Sequence, residues 1–210
     1  MKIIQKLSLS QQMFLFTLIL TAIRIFKFDN LGPLFLVWNL FLAWIPVFII
    51  NQLEIFPSKK WKYSIIGMCI LFLPNSIYIF TDLFHLKQNL HAPLWFDTVL
   101  ILSFSFLGLY YFSQALSKIK QFFYEEFLNE NKVNLIQTGI IFLCSFGVYL
   151  GRYLRLNSWN LFTRPYRIVF KFNEAVKAGK LPEIIEMTAL FGIMIIFLHE
   201  IIERKIQVTN

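Results

Sequence analysis

Charge is scarce in this chain. Lys, Arg, Asp and Glu make up 15% of its 210 residues, where a soluble domain carries about 25%. That shortage excludes an ordinary water-soluble globular domain. Cysteine is scarcer still. Cys69 and Cys144 both lie inside apolar runs, where they read as buried thiols and say nothing of a redox compartment. No His-Glu-x-x-His, no Gly-x-Ser-x-Gly and no Gly-rich phosphate loop occurs, so those families of metalloprotease, hydrolase and nucleotide site are excluded. There is no internal repeat and no low-complexity segment.

What the chain has instead is apolar mass. Hydrophobic residues reach 57%, with 25 Phe, and mean hydropathy is +0.61. A bilayer crossing takes about 20 mainly apolar residues. Six segments qualify: Leu9–Phe26, Leu34–Ile50, Tyr63–Phe80, Thr98–Leu116, Val133–Gly151 and Ile184–Ile202. Backbone polar groups in lipid must be satisfied within the segment, so each is predicted helical. The basic, apolar N-terminus lacks a small-x-small cleavage site and reads as a retained first span. The expectation is an all-α polytopic membrane protein. Residues 1–210 form one domain, a bundle of six transmembrane helices.

Net charge is +8. Its cations sit between apolar runs, so topology and lipid phosphate account for them, not nucleic acid. Six crossings put both termini on one side. That side carries ten Lys and Arg residues, the two shorter connections opposite carry three, and the long connection after the fifth span carries seven. Short connections orient most reliably, so both termini are predicted to be cytoplasmic. Within the long connection, RPYRIVFKFNEAVKAGK (Arg164 to Lys180) can place Tyr166, Val169, Phe170, Phe172 and Val176 on one apolar face. Arg167, Lys171 and Glu174 then lie opposite. This predicts an interfacial amphipathic helix between the fifth and sixth spans. Gln121 to Glu130 reads as an amphipathic extension of the fourth span.

Polar residues converge at the end away from the termini. LPNSIYIFTDLFHL, Leu73 to Leu86, carries Pro74, which removes a hydrogen bond and bends the helix. Asn75 can satisfy freed backbone groups. Asp82 and His85 follow, three apart and so on one helix face. Asp97 opens the fourth span. Arg152 and Arg155, again three apart, end the fifth, with Asn157, Ser158 and Trp159 after them. Asp82, His85 and Asp97 are the candidate catalytic residues and the candidate ligands of a divalent metal. Arg152, Arg155, Asn157, Trp159 and Asn75 are the candidate substrate-binding residues, the arginines suiting phosphate or carboxylate. The bland alternative for each is a solvated helix end, a lipid-phosphate contact or an interfacial aromatic. Asn39 reads as an interhelical hydrogen-bonding residue. His199 falls at the opposite end from His85 and His91, which excludes a three-histidine zinc site.

WNLFLAWIP (Trp38 to Pro46), LPNSIYIFTDLFHL, WFD (Trp95 to Asp97) and YLGRYLRLNSW (Tyr149 to Trp159) resemble, in this order, the signature stretches of an uncharacterised bacterial membrane family, domain of unknown function 1361. The likeness covers nearly the whole chain. It implies a small multi-pass protein of the bacterial cytoplasmic membrane, and it implies no substrate, cofactor or mechanism. The family pattern has Asp where Asn160 stands here, so no acidic role passes to that position. From the residues themselves, the leading expectation is an extracytoplasmic-facing polar site for an anionic lipid or lipid-linked substrate, with metal-assisted hydrolysis or transfer as its enzymatic form. The alternatives are a small-solute or ion transporter or channel subunit, and a non-catalytic membrane assembly partner.

Overall fold

The computed structural model describes residues 7–86 and 92–209. The described residues are mostly helical and contain no strand. Among them six stretches are long and apolar enough to cross a bilayer: Leu9–Phe28, Leu34–Ile55, Lys59–Phe84, Leu94–Phe127, Glu130–Arg152 and Leu181–Arg204.

Helix α1 (Leu9–Phe28) starts from a capping box. Ser8 Oγ accepts from the Gln11 backbone N–H, and Gln11 Oε1 accepts from the Ser8 N–H. Two orphan donors are thus satisfied reciprocally. Its buried side chains are Thr17, Thr21 and Arg24, one stripe at helical spacing. Helix α2 (Leu34–Ile50) follows Pro33.

The third span departs from the expected bent helix. It runs as α3 (Lys59–Phe72), α4 (Pro74–Tyr78) and a 3-10 segment, Ile79–His85. Pro74 has no N–H to offer the Ile70 carbonyl, and instead takes the first position of a new helix, where that N–H is not needed. Carbonyls around the break are met by side chains. Asn75 Nδ2 donates to Phe72 O at 3.0 Å, and Ser158 Oγ donates to Leu71 O at 2.9 Å. The tighter 3-10 turn brings positions 82 and 85 into line along the segment.

Helix α5 (Leu94–Phe127) is the central post, packing on α1, α2, α4, α6 (Glu130–Arg152) and α9 (Leu181–Thr209). Its 34 residues span roughly 51 Å at 1.5 Å each. It therefore overruns the hydrocarbon and absorbs the predicted amphipathic extension as far as Phe127. Glycine permits two close approaches to it and to α6. A Cβ on Gly108 would stand 2.3 Å from the Ser76 carbonyl oxygen. On α6, a Cβ on Gly147 would meet Pro74 at 2.8 Å, and one on Gly151 would meet the Tyr78 ring at 3.1 Å. Small residues four apart let α4 sit directly against α6.

Helix α6 ends at Arg152, with the Leu156 N–H returning to the Leu150 carbonyl at 3.1 Å. Arg155 takes the left-handed backbone, φ 51°, in the role usually given to glycine at a helix stop. The expectation that Arg152 and Arg155 share a helix face is therefore corrected: the helix has turned off before Arg155. The long connection holds α7 (Asn160–Thr163) and α8 (Pro165–Lys177). The predicted single apolar face of α8 is divided. Ala175 is buried and Phe172 half-buried, in one cluster with Tyr149 and Ile184, while Tyr166, Val169 and Phe170 stay exposed. Lys171 turns inward, donating to the Leu154 carbonyl.

Candidate functional site

Two acid–arginine pairs stand at the end of the bundle where the third span exits. Asp82, on the 3-10 segment, is 2% exposed. Arg152 Nη1 donates to its Oδ1 at 3.2 Å, and Asn39 Nδ2 donates to its Oδ2 at 2.9 Å. Three spans thereby meet at one carboxylate. The Arg152 guanidinium carbon stands 5.9 Å from the Tyr78 ring centre and 5.6 Å from that of Phe84, within cation–π range. Its remaining N–H groups make no hydrogen bond among the described residues. Among the described residues Arg152 is thus held by its bond to Asp82 and by the Tyr78 and Phe84 rings.

Asp97, in the first turn of α5, belongs to the second pair. Arg24 Nε donates to Oδ1 at 2.6 Å and Nη2 to Oδ2 at 3.3 Å. Arg24 is 2% exposed, and its guanidinium lies 5.0 Å from the Phe28 ring centre. Both residues line a narrow recess closed by Asn30, Pro33 and Leu36. Arg24, one of the three cations counted in the two shorter connections, is instead a buried residue of α1.

Beside the first pair opens a cavity of about 730 Å³. Helices α2, α3, α4 and α6 and the connection through α7 to α8 form its walls. Asn75, Asn157 and Trp159 all line it, as do Asn39, which donates to Asp82, and Tyr78, whose ring faces Arg152. Asn75 Nδ2 also donates weakly to Ser158 Oγ at 3.4 Å, so the connection after α6 is stitched across the break at Pro74. Apolar side chains make up most of the rest, among them Met68, Leu143 and Phe162, which are also exposed on the outer surface.

The structure thus brings Asn75, Asn157 and Trp159 to one cavity and sets Asp82 and Arg152 against its Asn39 and Tyr78 wall. Asp97 opens on the other recess. Arg155 is exposed beyond the helix end. His85 ends the 3-10 segment; its side chain lies outside the described residues, as does His91. Among the described residues no three His, Cys, Asp or Glu side chains gather as a metal-binding cluster. Sequence reasoning missed Arg24 as a buried partner, and it missed Tyr78, Gly147 and Gly151. Signals for both existed. Thr17, Thr21 and Arg24 repeat at helical spacing, and GVYLG, Gly147 to Gly151, is a small-xxx-small pair.

Six spanning helices with charged pairs gathered at their ends define a multi-pass integral membrane protein. The chain belongs to the family described as "Protein of unknown function (DUF1361)", whose model matches residues 38–198. Helix α1, with Arg24, precedes the matched segment, whereas Asp97 lies within it. No curated protein and no solved structure matches the chain.

Proposed function

We propose that the large cavity binds an amphiphile: a lipid or lipid-linked molecule with an anionic headgroup, taken up on the extracytoplasmic side of a bacterial inner membrane with both termini cytoplasmic. The carrying observation is the cavity itself, about 730 Å³ and so within the usual range for small-molecule sites, about 300–1,000 Å³. Its walls are mainly apolar, which suits a hydrocarbon chain. Its asparagines, Asn75 and Asn157, suit the polar head. The Arg152 guanidinium, behind the Tyr78 wall, suits the anion, and exposed Arg155 adds positive charge beyond the end of α6. Exposed Tyr166, Val169 and Phe170 on α8 suit a helix lying in the headgroup layer beside the mouth.

Asp82 then has two roles open to it, as the anchor that orients Arg152 and as an acid or base toward the headgroup in an enzymatic form. Asp97 is held by Arg24 in either form. Elemental analysis of the purified protein tests whether Asp82, His85 and Asp97 also hold a divalent metal. A transport path would need polar groups through the bilayer depth. The buried cluster containing Leu73, Phe112, Cys144 and Ile195 is apolar there, which favours a site over a path.

The test is binding of a fluorescent long-chain phosphate amphiphile to the full chain in nanodiscs. Arg152→Gln is expected to weaken it about tenfold or more, the scale of a lost charged hydrogen bond. A neutral-headgroup analogue is expected to bind wild type and variant alike. Equal phosphate binding by both proteins would overturn the reading.

A further inference from the structure

A second cavity, of about 450 Å³, lies at the opposite end of the bundle, near the turn from α5 to α6. Its walls are polar. Lys120 comes from α5, Gln137 from α6, and His199 and Glu203 from α9. His199 sits within the last spanning segment, with its side chain only 3% exposed. Its Nε2 lies 2.7 Å from the Gln137 amide nitrogen and 3.8 Å from a Glu203 oxygen. Glu203 in turn accepts from Lys120 Nζ on both oxygens, at 3.3 and 3.2 Å. His199 Nδ1 is buried without a hydrogen-bond partner among the described residues. Titratable groups inside a span are costly to keep and mark function by default.

We propose that this cavity is a proton-binding site on the terminal side of the membrane, with His199 as the acceptor and Glu203 and Lys120 as the groups that set its occupancy. Imidazole is the side chain that ordinarily changes charge between pH 5 and 8. A solvated proton from the aqueous phase adds to the imidazole and leaves a water molecule behind, and nothing is oxidised or reduced. The Gln137 amide turns its oxygen toward the new N–H. The imidazolium then shares the Glu203 carboxylate with Lys120, loosening the Lys120–Glu203 bridge between α5 and α9. Other charges facing the cavity are Glu130 on α6 and the pair Glu200 and Arg204 on α9. That pair is 3.9 Å apart and mostly exposed, so solvent screens it. Lys120 opposes the imidazolium and Glu203 favours it. The site stands independently of the amphiphile cavity, with which it shares no lining residue.

The chain has three histidines, so His85→Gln with His91→Gln leaves His199 alone and the cavity untouched. The imidazole resonances of that full-length protein, labelled at histidine and held in nanodiscs, are followed from pH 5 to 8. One titration is expected. Adding Lys120→Met is expected to move its midpoint up by about one unit, and adding Glu203→Gln to move it down by about as much, the scale of a neighbouring charge. His199→Gln in the otherwise native chain provides the matching loss of signal. A resonance that stays flat across the range overturns the proposal. So does a midpoint indifferent to both Lys120 and Glu203.

Discussion

Arg24 and Asp97 meet through both carboxylate oxygens, at 2.6 and 3.3 Å, although 73 residues separate them in the chain. Helix α1 is otherwise peripheral: Phe14, Leu15, Phe16, Ile19, Ile23 and Phe26 are all exposed. It is attached through its buried stripe of Thr17, Thr21 and Arg24, with Met13 and Leu20 against the cluster around Leu36, Leu100 and Phe104, the Phe28–Phe96 ring contact and this ion pair. An arginine ahead of the family-matched segment holds an acid within it, so α1 completes this end of the bundle.

Breaking that pair leaves a buried charge alone. Arg24→Leu or Asp97→Leu is expected to destabilise the protein by about 3–5 kcal/mol, while the double substitution recovers most of the loss. Unfolding of the purified protein in detergent, run as a double-mutant cycle, measures the coupling. Additive single losses would show that the pair does not act as a unit.

Steric room at α5 is tightest at Gly108. Gly108→Ala drives a Cβ to 2.3 Å from a backbone oxygen and is expected to cost about 1–3 kcal/mol or more through overpacking. Gly67 and Gly139 have nothing within 4 Å of the same atom. Alanine there is expected to be neutral or to stabilise by about 0.4–1 kcal/mol, since both are helical. Melting temperatures of the three variants give the comparison, and a benign Gly108→Ala would show that α4 and α5 are farther apart than described.

The break at Pro74 depends on borrowed hydrogen bonds. Ser158→Ala removes the donor to the Leu71 carbonyl and is expected to cost about 1 kcal/mol, together with the wall that Ser158 lends the cavity. Amphiphile binding should weaken with it, whereas Ser64→Ala, which loses only an exposed bond to Lys60 O, should leave binding unchanged.

Sidedness is open to direct measurement. Asn157→Cys and Lys60→Cys are both exposed positions, and the native cysteines are buried. Membrane-impermeant thiol reagents on intact cells are expected to reach position 157 and not position 60. Labelling of both from one side would reject the six-crossing arrangement.

Class, crossing segments and the disturbance at Pro74 were legible in the amino-acid order alone. Each follows from local physics: bilayer thickness sets the length of an apolar run, and a missing N–H interrupts a helix wherever it stands. Odd and even crossings likewise bring Asp82, Asp97 and Arg152 to one end of the bundle. Which acid meets which arginine was not legible. Asp82 goes to Arg152 and Asn39, and Asp97 to Arg24, because partners 70, 43 and 73 residues apart meet only once helix rotation and spacing are settled. Close approach at Gly108, Gly147 and Gly151 sets that spacing. The left-handed turn at Arg155 separates two arginines that periodicity alone places together, and the same packing leaves the cavity open between α2, α4 and α6. Pairing and empty space belong to the assembled bundle, since each is a relation between surfaces that no single segment carries.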